Sequence, residues 1–137
     1  MGICSTVYGD EICRGCRRFS DEIVRWNGLS SEQKFSVLDR LSKLIEVVIL
    51  DKIESVDEAL LREALARFSI RYYPQHHPYT WVYHLMRDRG EKLDDPAVLE
   101  SCGVFLKLSF KLIPIRGLLE LMDEELYRMS EATRSEL

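Results

Sequence analysis

Three of the four cysteines lie in the first sixteen residues, as Cys4-(eight residues)-Cys13-Arg14-Gly15-Cys16-Arg17-Arg18. Two thiols two residues apart can face one ion only if the chain folds back into a tight knuckle, and Gly15 removes the steric cost of that turn. The stretch Tyr8-Gly9-Asp10 is a natural turn that returns Cys4 to the knuckle. Arg14, Arg17 and Arg18 are expected to lower the thiol pKa values and to offset the negative charge that thiolates carry. The chain start is therefore expected to be irregular, with Cys4, Cys13 and Cys16 as ligands of a metal ion or an iron–sulfur cluster.

Structural zinc and iron–sulfur sites usually take four protein ligands, and this segment supplies three. Cys102 is one candidate for the fourth, although it shares an apolar stripe with Leu99 and Phe105, where a lone cysteine is commonly a small core residue. His76, His77 and His84 are the others; adjacent His76 and His77 do not readily reach one ion together, which favours His84 on a helix face. A three-ligand site with an open position is the remaining option.

Beyond the cysteines, helix signals dominate. Ser20 is placed to cap a short helix carrying Ile23, Val24 and Trp26, stopped by Asn27-Gly28. Ser30 with Gln33 forms a capping box that opens a helix reaching about Ile53, with Leu38, Leu41, Ile45 and Val48 on one stripe. Ser55-Val56-Asp57-Glu58 repeats the box and starts a helix with Leu61, Ala64, Leu65 and Phe68 inward. Pro74 and Pro78 mark Arg71–Tyr79 as a loop, followed by a helix from about Thr80 to Arg89 with Trp81, His84 and Leu85 on one face. Asp95-Pro96 opens a helix carrying Leu99, Cys102, Phe105 or Leu106, and Ser109, broken or kinked at Pro114. A last helix spans roughly Ile115 to Met129 with Leu118, Leu119, Met122 and Leu126, and a polar, frayed tail is expected after Ser130. No period-two alternation is long enough to indicate a strand.

The fold expected is all-α: one small domain over residues 1–137, of about five to six helices, with a Cys-bearing N-terminal knuckle. Residues 72–137 form a helical extension sharing its core. With 46% hydrophobic and 31% charged residues the chain has the composition of a globular protein. Its net charge of −4 disfavours a nucleic-acid surface over the whole molecule. The apolar stretches 44–50 and 103–115 are too short, or interrupted by Lys107 and Lys111, to span a membrane. No charged n-region and apolar h-region precede the cysteines, so a cytoplasmic location with reduced thiols is expected.

Cys4, Cys13-Arg14-Gly15-Cys16, Arg18, Asp21-Glu22-Ile23, Trp26, Leu29-Ser30 and Lys34 together resemble the bacterial family called domain of unknown function 1289, over residues 3–41. Its members are described as predicted iron–sulfur proteins, so the resemblance implies a cluster site without implying an activity. The family pattern has a further cysteine that would fall one residue before Met1. The resemblance thus leaves three arrangements: a ligand upstream of Met1, a three-ligand site, or Cys102 as substitute. Phe19 stands where the family has Thr, which shifts the helix cap to Ser20.

All three histidines fall in one aromatic segment, Arg71 to His84, with four tyrosines and Trp81. Tyr73, His76, His77, Trp81 and His84 are the candidates there for a ligand pocket or a stacking surface; equally, the rings pack a proline-constrained loop onto the helices. No phosphate-binding glycine loop, nucleophile elbow or di-iron carboxylate–histidine pair occurs. The expected function is that of a cytoplasmic accessory protein holding an iron–sulfur cluster or zinc, with a structural, redox or electron-transfer role. A protein partner is expected, the final helix offers a homodimer surface, and no membrane partner is expected. No general acid–base pair accompanies the cysteines, so a non-enzymatic role is favoured. The alternative is a metal-independent binding module using residues 71–84 for a small ligand, single-stranded nucleic acid or a protein.

Overall fold

The computed structural model describes residues 4–136 and divides the chain into two compact units, residues 1–44 with 123–137, and Ile45–Met122. Among the described residues there are seven α-helices and one two-stranded sheet. The mostly helical expectation holds, but the fold is not purely all-α.

The first unit begins with a 3-10 turn, Ser5–Tyr8, closed by Gly9 in the left-handed conformation at φ 99°. Helix α1, Ser20–Arg25, follows the knuckle, and a 3-10 turn, Trp26–Gly28, ends it. The N-cap is Phe19 rather than the expected Ser20, which is the first helical residue. Phenylalanine cannot cap with its side chain; instead Glu22 reaches back to accept the Phe19 N–H at 2.8 Å, which is half of a capping box. Val24, one of the apolar residues this helix carries, is exposed. Helix α2, Ser31–Leu50, opens on the expected box: Ser30 Oγ accepts the Gln33 N–H at 3.1 Å and Gln33 Oε1 accepts the Ser30 N–H at 2.8 Å. Such a box contributes about 1 kcal/mol. In this unit α2 buries Val37 and Ser42, one position round from the expected Leu38–Leu41 stripe.

In the second unit the same helix buries Ile45, Val48 and Ile49. It stops at Leu50, short of Ile53, because Lys52 turns back: its ammonium donates to the Val48 carbonyl at 2.9 Å, placing a cation on the helix C-terminus. Ile53–Val56 is then strand β1. It pairs antiparallel with β2, Val104–Leu106, in the register Ile53↔Leu106, Ser55↔Phe105 and Val56↔Val104, with an irregularity between Ile53 and Ser55. Helix α3, Glu58–Arg67, is capped by Asp57, whose carboxylate accepts the Leu60 N–H. The cap lies two residues beyond Ser55, which the strand has taken. Leu61, Ala64 and Leu65 are buried as expected.

Helix α4, Pro78–Arg89, starts two residues earlier than expected, with His77 as N-cap and Pro78 in the first turn. Helix α5, Pro96–Ser101, has the expected Asp95 cap but ends after six residues instead of running to Pro114. Gly103 stops it. Its φ is +82°, and a Cβ there would lie 2.4 Å from the Asp57 carbonyl oxygen and 3.1 Å from the Leu61 nitrogen. The Gly103 carbonyl accepts the Asp57 N–H at 2.7 Å, so one glycine ends α5, begins β2 and braces the cap of α3. A short helix α6, Leu108–Lys111, precedes α7, Ile115–Glu136.

The inner stripe of α7 is Ile115, Leu118, Met122, Leu126 and Ser130, at helical spacing. The tail expected to fray is helical. Its hydroxyls fold back on the preceding turn, Ser130 Oγ to the Leu126 carbonyl at 2.8 Å and Thr133 Oγ1 to the Met129 carbonyl at 2.9 Å.

Replacing Gly103 with Ala is expected to cost about 3 kcal/mol, because the positive φ and the backbone clash act together. Gly28→Ala, where a Cβ meets nothing within 4 Å, is expected to change stability by no more than about 0.5 kcal/mol. Denaturant melts of the two variants, read in parallel, check the contrast.

Candidate metal centre

Residues 11–20 form a small hairpin that presents the cysteines. Ile12 and Phe19 form an isolated antiparallel bridge, flanked by Cys13 N–H to the Arg18 carbonyl at 2.9 Å and Ser20 N–H to the Glu11 carbonyl at 2.7 Å. The turn is closed by Arg17 N–H to the Cys13 carbonyl at 2.7 Å. Arg17 takes a left-handed backbone, φ 63°, unusual for a residue with a side chain. Its buried guanidinium donates to the Gly15 carbonyl at 3.0 Å and faces Asp123 at 3.6 Å, so the side chain holds the turn its own backbone makes. The N-terminal segment returns as the Gly9 turn leads it to expect: Ser5 Oγ accepts the Arg14 N–H at 2.8 Å.

Cys4, Cys13 and Cys16 meet through Cys13. Burial pushes the Cys13 thiol up, but hydrogen bonds from the N–H groups of Cys16 and Gly15 and from the Cys16 and Cys4 thiols outweigh it, lowering its pKa to about 6. Cys4 Sγ also lies 3.0 Å from Thr6 Oγ1. Among the described residues, no three His, Cys, Asp or Glu side chains adopt the arrangement of a metal-ion ligand set. The donor chemistry nevertheless fits a thiophilic centre: three sulfurs on one short segment, one of them held acidic by backbone N–H groups aimed at it.

Arg18 links the sulfurs to the first helix. Its Nε donates to Cys16 Sγ at 3.3 Å, and its guanidinium lies 4.6 Å from the ring centroid of Trp26. The Lys34 ammonium approaches the same ring at 5.8 Å. Arg14, grouped with Arg18 in sequence, lies instead over Tyr127 at 4.2 Å and pairs with Asp10 at 3.7 Å. The acidity of Cys13 thus comes from backbone N–H groups and neighbouring thiols, a source that the arginine-rich sequence did not indicate.

Cys13, Gly15, Cys16, Arg18, Glu22, Trp26 and Lys34 occupy the knuckle and the helices it feeds. Residues 1–44 match the family described as protein of unknown function (DUF1289). The match covers about a third of the chain. No curated protein and no solved structure matched the chain.

Within the DUF1289 segment, Phe19 is 3% exposed, and the guanidiniums of Arg40 and Arg134 lie over its ring at 4.2 and 4.8 Å. Arg40 is held by a two-pronged ion pair with Glu22, at 2.6 and 2.7 Å, and Arg134 by Asp21 at 2.7 Å. The end of α7 thus closes on the DUF1289 segment through Arg134, Asp123 and Tyr127. None of these three carries a local sequence signal, since each partner is about a hundred residues away.

The other candidate ligands lie in the second unit. Cys102 is fully buried at the C-cap of α5, with Arg67 Nη2 donating to its sulfur at 3.8 Å. Trp81 is 1% exposed; its indole N–H donates to the Tyr73 carbonyl at 3.0 Å and its ring lies 4.8 Å from that of Tyr72. His77 accepts the Tyr79 N–H at Nδ1, and His76 packs 5.0 Å from the Tyr73 ring. His84 and Tyr73 line a hollow of about 420 Å³ with Ile70, Arg71 and Tyr72. Among the expected pocket residues, Tyr73 and His84 therefore line a hollow, while Trp81 packs the interior and His77 caps a helix.

The Arg134 hydrogen bond holds the Asp21 carboxyl below its ordinary pKa, against the opposing effect of burial, and the same hydrogen bond in turn raises Arg134. A depressed folded pKa gives stability that is present above the unfolded pKa and is lost as pH falls through the folded one. Asp21→Asn is therefore expected to melt below wild type at neutral pH. The gap should close as acid protonates Asp21 below the usual carboxylate range, which thermal melts across an acid pH series would show.

Proposed function

We propose that Cys4, Cys13 and Cys16 hold a thiophilic metal centre, zinc or an iron–sulfur cluster, and that the protein is an accessory factor acting on a protein partner. The observation that carries this reading is the setting of Cys13. Its sulfur belongs to a residue only 5% exposed, yet two backbone N–H groups and two other thiols converge on it. A nucleophilic cysteine must be exposed to meet its substrate, whereas a buried sulfur with N–H donors and sulfur neighbours suits a metal ligand. Zinc held there would cross-link the N-terminal segment to the hairpin, and an iron–sulfur cluster would add electron transfer. The chain's own contribution is to orient the sulfurs: Ser5 and Gly9 return Cys4, Arg17 keeps the turn closed, and Arg18 steadies Cys16.

Cys102 is assigned to packing, supported by its complete burial and its bond to Arg67. A cytoplasmic location, where thiols stay reduced, fits this reading. The competing reading, a stacking or ligand site at residues 71–84, draws less support, because Trp81, its best stacking surface, is buried.

Anaerobic purification with iron, sulfide and zinc analysis tests the reading. Close to one centre per chain is expected, lost in Cys13→Ser and kept in Cys102→Ala, with the helical circular dichroism of both variants intact. A folded wild-type protein carrying under about a tenth of an equivalent of any of these metals would overturn it.

A further inference from the structure

We propose that the turn around α6 docks on an anionic lipid surface. Between Glu100 and Glu120 the chain has no acidic residue and carries Lys107, Lys111 and Arg116, in a protein whose net charge is −4. The same stretch turns its leucines outward: Leu108 is 80% exposed and Leu112 is 93% exposed. Four residues apart around a helical turn, they project on one side. Lys107 precedes Leu108 and is exposed, and Arg116 is exposed in the first turn of α7, four residues beyond Leu112. Lys111, paired with Glu100 at 3.6 Å, keeps a third of its side chain accessible.

The turn is firmly mounted. Lys107 N–H donates to the Lys52 carbonyl at 2.9 Å, extending the β1–β2 ladder, and the Lys52 ammonium lies 5.7 Å from the Phe110 ring. That bond sets the turn beside the end of α2, where Val47 and Leu50 are 56% and 55% exposed.

Apolar side chains rimmed by cations match a surface that is apolar within and negative at its face. Leucines this exposed are projecting knobs. A bilayer accepts projecting side chains without a preformed pocket, whereas a protein partner would need a complementary cleft, and this favours lipid over an acidic peptide. That no helix among the described residues is long and apolar enough to cross a membrane bears on spanning alone; the attachment proposed is peripheral.

Flotation of the full chain with phosphatidylcholine vesicles, with and without phosphatidylglycerol, tests this. Binding is expected only with phosphatidylglycerol, weakened by salt and by K107Q/R116Q. The L108S/L112S variant should lower the bound fraction about tenfold with unchanged circular dichroism. Leu121→Ser, at a half-exposed leucine on α7 outside the turn, should leave binding as it is. Failure of the wild type to float with phosphatidylglycerol vesicles would overturn the proposal, as would undiminished binding of L108S/L112S. So would sedimentation showing a dimer that this double substitution dissolves, since the leucines would then serve a second copy.

Discussion

The ring of Phe19 is the point on which the first unit depends. Among its described residues that unit buries few large apolar side chains, chiefly Ile12, Phe19, Val37 and Leu126, so other contacts must add to its cohesion. Two guanidiniums over one buried ring supply part of it. The arginines are then fixed by carboxylates on adjacent residues, Asp21 and Glu22, in the first turn of α1. One short helix therefore sets both cations, and through them the end of α7 and the middle of α2. The cysteine hairpin hangs from the same residue, because Phe19 is also the partner of Ile12 in the bridge.

The second unit has a comparable pivot in Gly103, but its physics is steric rather than electrostatic. Asp57 caps α3 with its carboxylate, donates its N–H to the Gly103 carbonyl, and leaves no room for a side chain at that glycine. Helix start, strand end and helix stop thus share three neighbouring groups. Lys52 plays the matching part at the other end of the ladder, closing α2 with its ammonium while its carbonyl receives Lys107.

What the sequence made legible was local. The box at Ser30 and Gln33, the Asp95-Pro96 start, and the Leu61–Ala64–Leu65 and Leu118–Met122–Leu126 stripes need only neighbours within a turn or two, and each is where its pattern placed it. The strands were hidden because Ile53–Val56 and Val104–Leu106 are three or four residues long with an irregular register, too short for alternation to register. Gly103 fell inside the helix expected to run to Pro114, and only its closeness to Asp57 turns it into a stop. The clustering of Cys4, Cys13 and Cys16 was legible from their spacing. Its supports were not, because Asp21–Arg134 and Arg17–Asp123 join residues more than a hundred positions apart. The arginine content near the cysteines pointed to a charge effect on the thiols, yet Arg14 turned to Tyr127 and Asp10.

Arg18 touches both a sulfur and an indole, and this gives the molecule an optical handle. Any group that takes up the electron pairs of Cys16 Sγ competes with the Arg18 N–H for them and so shifts the guanidinium resting over Trp26. Indole emission responds to the position of nearby charge. The second tryptophan, Trp81, is sealed in the other unit with its N–H bound to Tyr73 and makes a steady background. Chemistry at the knuckle is thereby written into the fluorescence of a single residue ten positions along the chain, with no label added.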